Sequence, residues 1–111
     1  MRNVRVGAAQ MGAIQKADSR ESVVERMIAL LDQAAGDKCN FVVFPELTLT
    51  TFFPRWYYED NAEADQWFER EMPGAETQPL FDRAKSHGIA ISFGYAAVSY
   101  THLTLPTILL V

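Results

Sequence analysis

The chain has 111 residues, 49% of them apolar and 22% charged, with 10 Lys+Arg against 14 Asp+Glu for a formal net charge of -4. That length and apolar share suit one soluble domain with its own core, and they exclude a disordered tail or a disulfide miniprotein, since Cys39 has no second cysteine to pair with. Mild acidity without a Lys/Arg stripe or basic tail argues against nucleic acid as a partner.

Val4, Val6 and Ala8 alternate with Arg5 and Gly7, which predicts a short first strand ended by the small, flexible segment from Gln10 to Ala17. Asp18 stands three residues before Glu21, the spacing at which an acceptor side chain and a glutamate satisfy two free backbone donors at a helix start. Val23, Met27, Leu30, Leu31 and Ala34 then recur at intervals of three and four, with Glu25, Arg26 and Asp32 free to face water. Gly36 suits the left-handed position that ends a helix, so the element is predicted over Arg20 to Ala35. After the polar turn Asp37 to Asn40, the run Phe41-Val-Val-Phe44 is apolar without alternation and is stopped by Pro45, the pattern of a strand buried on both sides. Strand, helix and strand in this order predict a βαβ unit over residues 1 to 44 and an α/β fold.

From Leu47 to Tyr58 the chain is rich in Thr and aromatics, and Asn61 to Arg70 has weak helical character. Met72-Pro-Gly74 breaks it, and Thr77 is predicted to cap a second crossover helix in which the early Pro79 is tolerated. Leu80, Phe81 and Ala84 form the apolar face of that helix before His87-Gly88, and Ile89 to Phe93 reads as a third strand. Three strands and two helices leave an unclosed edge and too little cover for an apolar strand, so layer packing alone points to a sheet continued elsewhere.

Charge is distributed unevenly. Residues 1 to 55 carry seven bases and six acids, Trp56 to Glu76 one base and seven acids, and the 24 residues from Gly88 to Val111 none. Ser92, Ser99, Thr101, His102, Thr104 and Pro106 interrupt that last stretch too often for a spanning helix, and the amino end lacks the sustained apolar run of a secretion signal. The expectation is a cytoplasmic protein without a membrane partner.

Among residues able to do chemistry, Glu46 stands out because it follows Pro45 at the carboxyl end of the apolar strand, where open α/β sheets gather ligand-binding residues. Phe44 and Leu47 beside it predict a partly desolvated carboxylate suited to accepting and returning a proton; a capping or ion-pairing glutamate is the plainer alternative. Cys39 precedes the strand and so lies away from Glu46, in a polar turn that supplies no base or helix N-terminus to make a thiolate, which marks it as structural. His87, placed to meet terminal helix carbonyls, and His102 make no metal site, and the acids from Glu59 to Glu76 lack calcium-loop spacing. Thr48 to Tyr58 offers apolar faces, hydroxyls and Arg55 for a pocket, or equally an aromatic cover for the sheet.

The run Asn40-Phe-Val-Val-Phe-Pro-Glu-Leu-Thr-Leu-Thr-Thr-Phe-Phe-Pro-Arg-Trp56 closely resembles the N-terminal part of N-carbamoyl-D-amino-acid hydrolases, members of the nitrilase superfamily of carbon-nitrogen hydrolases. Val6-Gly-Ala-Ala-Gln10, the Arg20 to Leu31 helix, Glu71-Met-Pro-Gly74 and Gly94-Tyr-Ala96 are similar in the same order, so residues 1 to 97 read as the N-terminal portion of such a domain. Phe-Pro-Glu alone marks the superfamily; its extension through Arg55 and Trp56 is more specific. The resemblance implies an αββα sandwich, incomplete here, in a homo-oligomeric parent that uses no metal or organic cofactor. It makes Glu46 the general base for a cysteine nucleophile assisted by a lysine, acting on an N-carbamoyl amino acid or related amide. The family's lysine and cysteine fall beyond the matched region, and neither Lys38, Lys85 nor Cys39 occupies their motifs, so the chain alone is expected to be inactive. Another amidase or nitrilase of the superfamily, or a binding or structural module, is the alternative. From Val98 the family pattern gives way to a run resembling translated sequencing adapter, and residues 98 to 111 are read as a doubtful tail.

Overall fold

A computed structural model of the chain describes residues 3–15, 17–50, 69–98, 103–104 and 107–110. Strands β1 (Val6–Ala8), β2 (Phe41–Val43), β3 (Ala90–Gly94) and β6 (Thr107–Leu110) form one sheet in the order β1-β2-β3-β6. The first three run parallel, with Val6 opposite Phe41 and Phe41 opposite Ala90, and β6 closes the far edge antiparallel to β3. Strands β4 (Ala97–Val98) and β5 (Leu103–Thr104) make a separate antiparallel pair. Helices α1 (Arg20–Gly36) and α2 (Gln78–His87) precede β2 and β3, giving the α/β fold that the sequence predicts.

Three parallel strands advancing in one direction through crossovers of one hand place both helices on the same face of the sheet. Val23, Val24, Met27 and Leu31 of α1 and Leu80 and Ala84 of α2 pack there on Val42, Phe44, Ile91 and Phe93. Phe81 meets Phe93 edge-on at 6.1 Å between ring centroids, fixing α2 over β3. The strand predicted to be buried on both sides is buried on one: Val42 is 1% exposed and Val43 40%. The apolar alternation of β1 likewise faces away from the helices, leaving Val4 and Val6 56% and 58% exposed while Gly7 looks toward Cys39 and Val42.

Local chemistry explains several shifts from expectation. Ser19, rather than Asp18, caps α1: its hydroxyl accepts from the Ser22 N–H at 3.1 Å, while Asp18 accepts from the Gln15 N–H at 2.8 Å. Gly36 stays helical and Lys38 takes the left-handed conformation at φ 62°. Arg26 does not simply face water, because its guanidinium donates to the carbonyls of Met11 and Ala13. This pins the segment after β1, whose Met11 and Ile14 join the core and make it less of a free linker than its small residues suggest. Thr77 forms no side-chain cap on α2; its buried hydroxyl accepts from the Gly74 N–H at 2.9 Å and braces the preceding turn. Gly88 ends α2 in the left-handed region at φ 66°.

Candidate functional site

All three parallel strands deliver their carboxyl ends to one rim of the sheet, where chain segments diverge and side chains can converge on a ligand. Glu46 lies on this rim, in the turn that begins where Pro45 stops β2. Proline has no N–H to continue the ladder, so the strand releases the chain at this point. The Phe44 N–H still donates to the Ser92 carbonyl at 2.8 Å, and the Gly94 N–H reaches the Pro45 carbonyl at 3.4 Å, so the chain is tied to β3 up to the start of the turn.

The Glu46 main chain lies directly over Gly94. A Cβ at residue 94 would sit 2.2 Å from the Glu46 carbonyl oxygen and 3.0 Å from its Cα. The side chain of Glu46 is exposed, which corrects the expectation of a desolvated carboxylate: Phe44 turns into the core, and Leu47 is only half-buried. Just beyond the turn, Thr48 and Thr50 are buried with hydroxyls that have no hydrogen-bond partner among the described residues. The rest of the predicted pocket-lining run, including Arg55, lies outside the described residues, as do Asn61 to Phe68 of the weakly helical segment.

Arg20, at the first turn of α1, reaches the same rim and donates to the carboxylates of Glu69 and Glu76. Glu69 is buried and its N–H donates to the Ala96 carbonyl at 2.7 Å, so this ion cluster ties α1 to the chain entering α2 and leaving β3. Sequence reasoning missed the cluster because its members are far apart along the chain. At the opposite rim the contacts are of another kind. Cys39 lies there, half-buried before β2, and the Asn40 side chain accepts from the Arg5 N–H at 2.8 Å while its carbonyl accepts from Ala90 at 3.0 Å. His87 does not serve its own helix end but pairs with Asp32 of α1 at 2.7 Å, and Arg83 meets the same carboxylate at 2.6 Å. The His87 hydrogen bond, helped by Arg83, lowers the Asp32 pKa below its ordinary value. No group of three or more potential metal ligands occurs among the described residues. Nor, among these residues, is any helix long and apolar enough to cross a membrane.

The sequence model of the family described as Carbon-nitrogen hydrolase matches residues 5–109. The chain belongs to the carbon-nitrogen hydrolase family. Its three parallel strands, with the described helices α1 and α2 on one face, are consistent with part of the nitrilase-like fold, and the family match supports a hydrolase-type function on carbon-nitrogen bonds. The match includes the Glu46 corner, β3 and the strands that follow it, past Ala97 to residue 109.

Proposed function

We propose that the chain is the N-terminal portion of a hydrolase that cleaves N-carbamoyl-D-amino acids, with Glu46 as general base. The observation that carries this reading is the place of Glu46, on the strand-end corner of β2 within a carbon-nitrogen hydrolase match and inside the Asn40 to Trp56 run that resembles these enzymes. In this mechanism Glu46 takes the proton of a cysteine thiol, and the sulfur attacks the carbamoyl carbon. A lysine offsets the charge on the tetrahedral oxygen, and Glu46 returns its proton to the nitrogen as ammonia leaves. Water activated by the same glutamate then cleaves the carbon-sulfur bond, regenerating the thiol and releasing the N-carboxy-D-amino acid, which loses carbon dioxide to give the D-amino acid. The lysine and cysteine are contributed by parts of the enzyme beyond these residues, and the parent is a homo-oligomer.

Glu46→Gln, introduced into an active enzyme carrying this segment, keeps the size of the side chain and removes the base. Turnover of an N-carbamoyl-D-amino acid should fall by about 10²- to 10⁴-fold, the usual contribution of a positioned acid-base group. An unchanged rate and pH profile would remove Glu46 from the mechanism. A panel of simple amides and nitriles, turned over faster than carbamoyl amino acids by the wild-type enzyme, would move the substrate assignment elsewhere in the superfamily.

A further inference from the structure

We propose that Gly94 is a positioning residue for Glu46, setting where the carboxylate stands by letting the main chain of the Glu46 corner rest directly on β3. The inference rests on the reading of Glu46 as the general base and extends it to a residue in another strand. Gly94 does not have a left-handed backbone; among the described residues the positive-φ glycines are Gly12 and Gly88. What demands a glycine at 94 is closeness: an added Cβ would meet the Glu46 carbonyl oxygen at 2.2 Å, its carbonyl carbon at 2.9 Å and its Cα at 3.0 Å. All three contacts are main-chain atoms, so no rotamer change can relieve them.

One of the two partners must move, and the structure indicates which. Strand β3 is paired with β2, and its Ile91 and Phe93 are 0% and 1% exposed in the core. The Pro45–Glu46 turn is exposed and leaves the sheet at that point. The softer partner is therefore the Glu46 corner. It would lift by about 1 Å to restore ordinary contact and would stretch the bond from the Gly94 N–H to the Pro45 carbonyl, already 3.4 Å long. A misplacement of about 1 Å in a reacting group typically costs about 10²-fold in rate.

The test compares Gly94→Ala, Glu46→Gln and Gly88→Ala in an active enzyme carrying this segment, with kcat expressed per folded molecule at a low temperature where folded fractions are highest. Gly88→Ala strains a left-handed helix end at the opposite rim and serves as the control for lost stability. Gly94→Ala should lower kcat by about 10²-fold with KM within about threefold, because substrate is still bound but its base is displaced. Gly88→Ala should leave kcat per folded molecule unchanged. If Gly94→Ala retains kcat per folded molecule while Glu46→Gln is inactive, the positioning role is wrong and the base assignment stands. If Glu46→Gln retains activity, the base assignment fails and the positioning role fails with it. A Gly94→Ala enzyme with no folded population also overturns the proposal, since the glycine would then serve sheet assembly rather than the placement of one side chain.

Discussion

The two faces of the sheet are built from similar side chains and finished differently. Toward the helices, Val42, Ile91 and Phe93 are sealed under Leu31, Leu80 and Ala84; on the other side Val6 of β1 and Val43 of β2 have much of their surface open. The difference comes from topology: crossovers of one hand place the two described helices, α1 and α2, on the same face. An αββα sandwich needs this arrangement, since helices on both faces would leave no place for a second sheet. The apolar residues on the bare face thus agree with the family match in describing one half of a layered fold.

Substitutions on either face test this contrast. Leu31→Ala removes a fully buried side chain from the covered face and should cost about 3 kcal/mol in denaturant unfolding. A cost under about 1 kcal/mol would show that α1 does not seal the sheet. Thr48→Val, at the rim between the faces, replaces a buried hydroxyl that lacks a partner among the described residues, and should raise stability by about 1 kcal/mol. Destabilisation would show that the hydroxyl is satisfied.

Asp32→Asn loosens the link between the two helices that cover the sheet. Its exposure limits the expected loss to about 0.5 kcal/mol near neutral pH. Because the folded state lowers the Asp32 pKa, this contribution is present above the ordinary value of about 3.8 and fades as pH falls through the lowered one, so wild type and variant should converge in acid. A gap that persists at pH 2 would contradict the ion pair. The smallest effect belongs to the bare face: Val43→Thr should change the stability of this chain by less than about 0.5 kcal/mol. The same substitution in a complete enzyme should cost more, and equal costs in the two would argue against a second layer over Val43.

Much of the fold was legible because it depends on local pattern. The three-and-four spacing from Val23 to Ala34 located α1, and Pro45 and Gly88 marked where β2 and α2 end. What went astray depended on partners. Four apolar residues in succession do not show which of them lacks a cover, so Val43 was misassigned to the interior. Asp18 and Ser19 are both good caps, and the competing turn at Gln15 decided between them. At the site, the place of Glu46 on the strand-end rim followed from Phe44-Pro-Glu, but its exposure and its seat on Gly94 did not, since Gly94-Tyr-Ala reads simply as the end of a strand.

Two glycines of this sheet differ in how a later mutation could free them. A Cβ on Gly7 would meet the Cys39 Sγ at 3.2 Å, a side-chain atom that Cys39→Ala would remove, so a second substitution can open the way to the first. At Gly94 the obstacle is the carbonyl of Glu46, an atom common to all twenty amino acids. No exchange of side chain at position 46 can make room, and a lineage that loses this glycine must reshape the backbone of the corner to recover.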